Sequence, residues 1–117
     1  MTNNICNPIT EVETIDGIEF TFILSALVDY TPVDDGLYEP EDLKEIYKNL
    51  DNYTWMYFCA ELKAYVNGIN LSTDTLGQCI YESLDDFKIN SGYYEDMKSN
   101  CVKEALEVIN EFKNIKV

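Results

Sequence analysis

Adjacent carboxylates, for example Asp34-Asp35 and Asp85-Asp86, and four cysteines, Cys6, Cys59, Cys79 and Cys101, are the side chains here whose types suit chemistry. Carboxyls that share one site split their pKa values and can divide acid and base work. Adjacent acids, however, usually project into solvent from a loop, which leaves the pairs as surface charge. Histidine is absent, which removes Ser-His and Cys-His catalysis together with the usual metal ligands. Arginine is absent too, so no guanidinium can clamp a phosphate or carboxylate. The cysteines form no CxxC pair, and a zinc site would need thiolates and carboxylates alone at unusual spacing. Gly36, Gly68, Gly77 and Gly92 stand apart, so no phosphate-cradling loop is visible. The acid-rich stretch Asp29 to Asp42 lacks the ligand and glycine spacing of an EF-hand. These readings predict a chain that is not an enzyme and holds no cofactor or metal.

What the residues offer instead is charge. Twenty-two acids face eight lysines, a net charge of −14 on 117 residues. The distribution is uneven: Glu11 to Asp51 holds twelve acids and two lysines, Asn52 to Val117 ten acids and six lysines. A field of that sign attracts cationic surfaces and repels nucleic acid, whose phosphates are negative. An apolar fraction of 46% sets the chain apart from an acidic disordered tail, which could not offset its chain entropy by burial. The length fits a single domain, residues 1–117, with 1–10 a loose polar lead-in. The start has neither a charged n-region nor an apolar h-region, and no run reaches the length of a membrane span. The thiols then imply a reducing, cytoplasmic location.

The elements that must position these acids follow from periodicity. Val12–Ile15 and Ile18–Val28 read as strands around the turn Asp16-Gly17, a pair suited to type I′ geometry. Ile18, Phe20, Phe22, Leu24, Ala26 and Val28 share one face at period two. That register sets Glu13 opposite Phe20 on the core face, which a bulge or a short first strand would relieve. Glu39-Pro40-Glu41-Asp42 opens a short acidic helix, with Leu43, Ile46, Tyr47 and Leu50 on its inner side and Asp51-Asn52 at its end. Tyr53–Val66 is the strongest strand, with Met56, Phe58, Ala60, Leu62, Ala64 and Val66 facing the core. Asn67-Gly68 turns the chain back, and Ile69 and Leu71 pair with Val66 and Ala64. Ser83-Leu-Asp-Asp86 is a weak capping box before a short helix. Tyr94, Met97, Cys101, Ala105, Ile109 and Phe112 form one stripe on a last helix from about Tyr93 to Lys113, with Lys113 and Lys116 near its end. The prediction is an α+β fold: an antiparallel sheet of about four strands in two hairpins, covered on one face by the C-terminal amphipathic helix, plus the short acidic helix.

Three surfaces are candidates for a partner. Asp29, Asp34, Asp35, Glu39, Glu41, Asp42, Glu45 and Asp51 stand against only Lys44 and Lys48. Duplex DNA presents one charge per about 1.7 Å of axis, and a rigid row of carboxylates imitates part of that. Against this stands the plainer reading of a solvated acidic loop and helix. Trp55, Tyr57 and Tyr65 share the outer sheet face with Glu61 and suit a protein interface, unless another element or a second subunit covers them. Glu104, Glu107 and Glu111, spaced i, i+3, i+7, form an outward stripe on the last helix.

The run Val66-Asn-Gly-Ile-Asn-Leu, then Leu76-Gly-Gln-Cys79-Ile-Tyr-Glu-Ser83-Leu-Asp-Asp-Phe87 and Tyr93-Tyr-Glu-Asp-Met97, resembles small proteins common in phage genomes. Small acidic phage proteins of this kind are similar to anti-CRISPR and antirestriction inhibitors, several of which are DNA mimics. The resemblance implies a non-enzymatic inhibitor in the host cytoplasm. Its acidic surface would block the cationic nucleic-acid channel of a CRISPR effector or another nuclease. The alternative with the same physics is an immunity-type protein that neutralises a basic toxin nuclease.

Overall fold

The computed structural model describes residues 4–114, which fold as β1 (Ile9–Ile15), β2 (Ile18–Leu27), α1 (Pro40–Asp51), β3 (Met56–Val66), β4 (Ile69–Tyr81), α2 (Leu84–Asn90) and α3 (Tyr93–Lys113). The strands form one antiparallel sheet in the order β1-β2-β3-β4. The expected α+β architecture is present, with α3 packed along one face of the sheet. Lys116 lies outside the described residues.

Both hairpins turn as their sequences require. Asp16 and Gly17 have φ of 53° and 76°, and Asn67 and Gly68 have 53° and 78°, the left-handed pair of a type I′ turn. Phe20, Phe22, Leu24 and Ala26 on β2 alternate into the core with Phe58, Ala60, Leu62 and Ala64 on β3. Tyr94, Met97, Cys101 and Ala105 of α3 close over them, four positions at helical spacing. The Ser72 hydroxyl donates to the Cys101 carbonyl at 2.7 Å and ties α3 to β4. The α2 helix is capped by Ser83, whose hydroxyl accepts from the Asp86 amide at 3.0 Å. Phe87 from that helix meets Phe58 and Tyr81 edge-on, with centroids 5.9 and 5.2 Å apart.

Several expectations are corrected. The segment before the first strand is held rather than loose: Ile5 N–H donates to the Ala26 carbonyl at 2.8 Å, and β1 starts at Ile9, not Val12. Residues 1–3 of that expected lead-in lie outside the described residues. Glu13 does pair with Phe20, and the ladder has neither bulge nor early end there. A lysine on α3 meets the glutamates instead. Val28 falls after β2 and is exposed, and Tyr53 to Trp55 form a turn rather than strand, with Tyr53 at φ 62°. Phe112 is 64% exposed, because the last turns of α3 run past the buried part of the stripe.

The fourth strand contains two irregularities. Leu71 is bulged out between Tyr65↔Asn70 and Ala64↔Ser72, so Ala64 pairs with Ser72 and not with Leu71. Gly77 and Gln78 together oppose Cys59, between Phe58↔Cys79 and Ala60↔Leu76. The first bulge reverses the face alternation and the second restores it. Ser72, Asp74 and Leu76 therefore pair with inward-facing residues, as do Cys79 and Tyr81.

Candidate functional site

The second bulge organises the acidic segment. Asp29, the first acid after β2, accepts from the Gln78 amide at 2.6 Å and from the Thr31 amide at 2.9 Å. Gly77 lies directly under the carboxylate: a Cβ there would stand 3.4 Å from Asp29 Oδ2, at van der Waals contact. The Tyr57 hydroxyl donates to the Thr31 carbonyl at 2.8 Å, and the Tyr38 hydroxyl donates to the Gln78 carbonyl at 3.3 Å. Burial raises both phenols, which keeps them protonated and donating. Burial also acts to raise Asp29, but the two amides outweigh it and hold its carboxyl below the usual range. The loop from Asp29 to Glu39 is thus pinned across the outer face of β3 and β4.

Three of the predicted partner residues are less exposed than expected. Asp29 is half-buried and committed to the loop anchor, so it is not part of an exposed acidic row. Tyr57 is half-buried under the loop. Trp55 is half-buried and lines a groove together with Ile46 of α1 and Ile80 of β4. The outer-face aromatics do not form one patch. Tyr65 sits eight positions along β3 from Tyr57, about 26 Å at 3.3 Å per residue. It lies half-buried between Thr21 and Asn70.

The remaining acids of the segment are presented. Asp34, Asp35, Glu39, Glu41, Asp42, Glu45 and Asp51 are all exposed. Among the described residues, none of them makes an ion pair with a lysine. Pro40 opens α1 and Glu41 and Asp42 occupy its first turn, where acids complement the helix dipole. Asp34 stands near Tyr47 of α1: desolvation, then the Asp34 charge, raise that phenol. Only Ile46 of the predicted inner face of α1 is buried, while Tyr47 is 41% exposed. Glu104, Glu107 and Glu111 are exposed as expected, on α3, across the sheet from the acidic loop. The fold does not bring the two acidic surfaces together.

A groove of about 370 Å³ runs between α1 and the outer sheet face, lined by Tyr38, Asp42, Glu45, Ile46, Trp55 and Ile80. Next to it, Tyr38, Gln78 and Ile80 also border a cleft of about 420 Å³. The Gln78 side-chain nitrogen is buried without a hydrogen-bond partner. Tyr38, Gln78 and Ile80 are absent from the sequence-based site. The one signal for them was Gly77 inside a strand, a mark of a bulge or a close backbone approach.

Burial raises all four thiols, Cys79 up to about 11, so none is poised as a thiolate nucleophile near neutral pH. Among the described residues, no group of three or more Cys, Asp or Glu side chains is placed to hold a metal ion. No described helix is long and apolar enough to cross a membrane. No family model, curated protein or solved structure matches the chain.

Proposed function

We propose that this chain is a non-enzymatic inhibitor of a nucleic-acid-binding defence protein, of the anti-CRISPR kind, acting in the cytoplasm of the host cell. The carrying observation is the row Asp34, Asp35, Glu39, Glu41, Asp42, Glu45 and Asp51, all exposed and without lysine partners among the described residues. The row stands on a loop anchored through Asp29 and on a helix, which reduces the ordering cost of binding. Glu41 to Asp51 spans about 15 Å of helix at 1.5 Å per residue. A duplex carries roughly nine charges over that length, and α1 supplies four acids, so the imitation of DNA is partial. The surface would compete for a lysine- and arginine-lined channel by charge and would not copy a duplex phosphate by phosphate.

The test is a DNA-cleavage assay with guide-loaded CRISPR effector nucleases at low and high salt. The wild-type chain should block cleavage, less so at high salt, because exposed charges act through steering and are screened. A variant with Asp34, Asp35, Glu41 and Asp42 all changed to lysine should fold and fail to inhibit. Full inhibition by that variant would overturn the reading.

A further inference from the structure

We infer that the groove between α1 and the outer sheet face receives one arginine side chain of the partner protein. The inference rests on the partner being cationic, as proposed above, and names the side chain at the centre of the contact. The groove has two unlike parts. Ile46, Trp55 and Ile80 supply apolar wall, and Asp42 and Glu45 supply carboxylates one helical turn apart on α1. An arginine matches both: its methylene stem lies along apolar surface while the guanidinium stays polar. Its planar fork donates to two acceptors at once and stacks on an aromatic face, and tryptophan is the best aromatic for a cation. Lysine, a compact and strongly hydrated charge, uses the indole and the paired carboxylates less well.

Asp42 and Glu45 form no ion pair with a lysine among the described residues. At about 370 Å³ the groove has room for one arginine side chain. The exposed acids on either side, Asp35 and Glu41 among them, add a field that concentrates cations there. Such a half-buried anchor amid solvated rim charges is the usual division of an interface into a hot spot and its surroundings.

The chain has a single tryptophan, Trp55, so its indole N–H resonance and emission report on this groove alone. The experiment is a titration of the full chain with acetyl-Gly-Arg-Gly-amide. Its control is the same peptide carrying citrulline, which keeps the shape and loses the charge. The arginine peptide should shift the Trp55 signals saturably. Citrulline should bind at least tenfold more weakly, as should arginine to the Asp42→Asn/Glu45→Gln variant. Asp16→Asn/Glu19→Gln, exposed at the first hairpin turn and far from the groove, should stay within about threefold of wild type, since distant exposed charges are screened. Circular dichroism checks that each variant is folded. An unmoved Trp55 signal, equal binding of citrulline, or unchanged binding by the groove variant would overturn the inference. No nuclease is present in this titration, so its failure is separate from failure of the inhibition assay.

Discussion

The Glu11 carboxylate meets the Lys98 ammonium at 3.1 Å, joining the edge strand β1 to helix α3. Glu11 also accepts from Lys88 at 3.3 Å and from the Tyr94 hydroxyl at 3.1 Å, and Lys98 reaches Glu13 at 3.3 Å. The ammonium lies within 6 Å of the Phe22 and Tyr94 ring centres. Two glutamates on the helix-facing side of the sheet are therefore compensated in place. Lys98→Met should leave Glu13 without its cation and Glu11 with Lys88 and the Tyr94 hydroxyl alone. Loss of one partner of a fully buried pair costs about 3–5 kcal/mol. Glu11 and Glu13 keep 31% and 42% exposure, so a loss of about 1–2 kcal/mol in urea denaturation is expected. Glu11→Leu/Lys98→Met should recover part of it. An unchanged midpoint for Lys98→Met would show that the pair adds no stability.

The same pair has a pH signature. Burial acts to raise Glu11, but hydrogen bonds and charge from Lys98, Tyr94 and Lys88 leave its pKa below the ordinary 4.5. A carboxyl lowered on folding contributes stability above its unfolded pKa and loses it as pH falls through the folded value. The stability gap between wild type and Glu11→Gln should be full at about pH 7 and close progressively below about 4.5. Lys98 moves the other way: burial lowers it, but Glu11, Glu13 and Glu95 raise it above 10.5. Its contribution is complete below that value and is lost as pH rises through the folded one. Paired denaturation curves at both pH extremes check the sign, and a gap that widens in acid would contradict it.

The four strands, both type I′ turns and the buried stripe of α3 were legible because each rests on a local rule: Asp-Gly and Asn-Gly turns, period two, period 3.6. Glu13 was legible as a conflict but not as its solution. The cation that answers it, Lys98, is 85 positions away in sequence. Ser72-Thr-Asp-Thr75 carries no alternation to read, because Leu71 is bulged out and Gly77-Gln78 restores the phase only later. The acidic row was legible as composition. That Asp29 belongs to the anchor while Asp34 and Asp35 are displayed depends on the Gln78 amide, a backbone group that no side-chain pattern encodes.

The Asp29 anchor should control the loop. Asp29→Ala removes the acceptors of two part-buried amide hydrogen bonds, from Thr31 and Gln78. Hydrogen bonds to a charged group contribute about 1.5–3 kcal/mol, which corresponds to roughly 10–100-fold faster exchange where opening is local. The Gln78 and Thr31 amides should therefore exchange faster in the variant, while the Leu62 amide in the centre of β3 should change little. Asp29→Asn, which keeps one acceptor, should fall between. Uniform acceleration across the sheet would mean that Asp29 supports the whole fold and not the loop.

Salt should stabilise this protein while weakening its proposed contacts. Fourteen uncompensated negative charges repel one another across an elongated molecule of 59 × 29 × 24 Å. The exposed acids are screened within about 8–10 Å at physiological ionic strength, whereas the part-buried Glu11–Lys98 pair is screened much less. Raising salt from about 0.02 M to about 0.5 M should therefore raise the melting temperature by roughly 3–6 °C, about 1 kcal/mol for a domain of this size. The variant with lysine at positions 34, 35, 41 and 42 carries eight units less negative charge and should respond less than half as much. Melting curves of the two proteins across a salt series decide the point. Equal slopes would mean that the repulsion resides elsewhere, in the first hairpin or on α3. The acidic row would then impose little strain on the folded state.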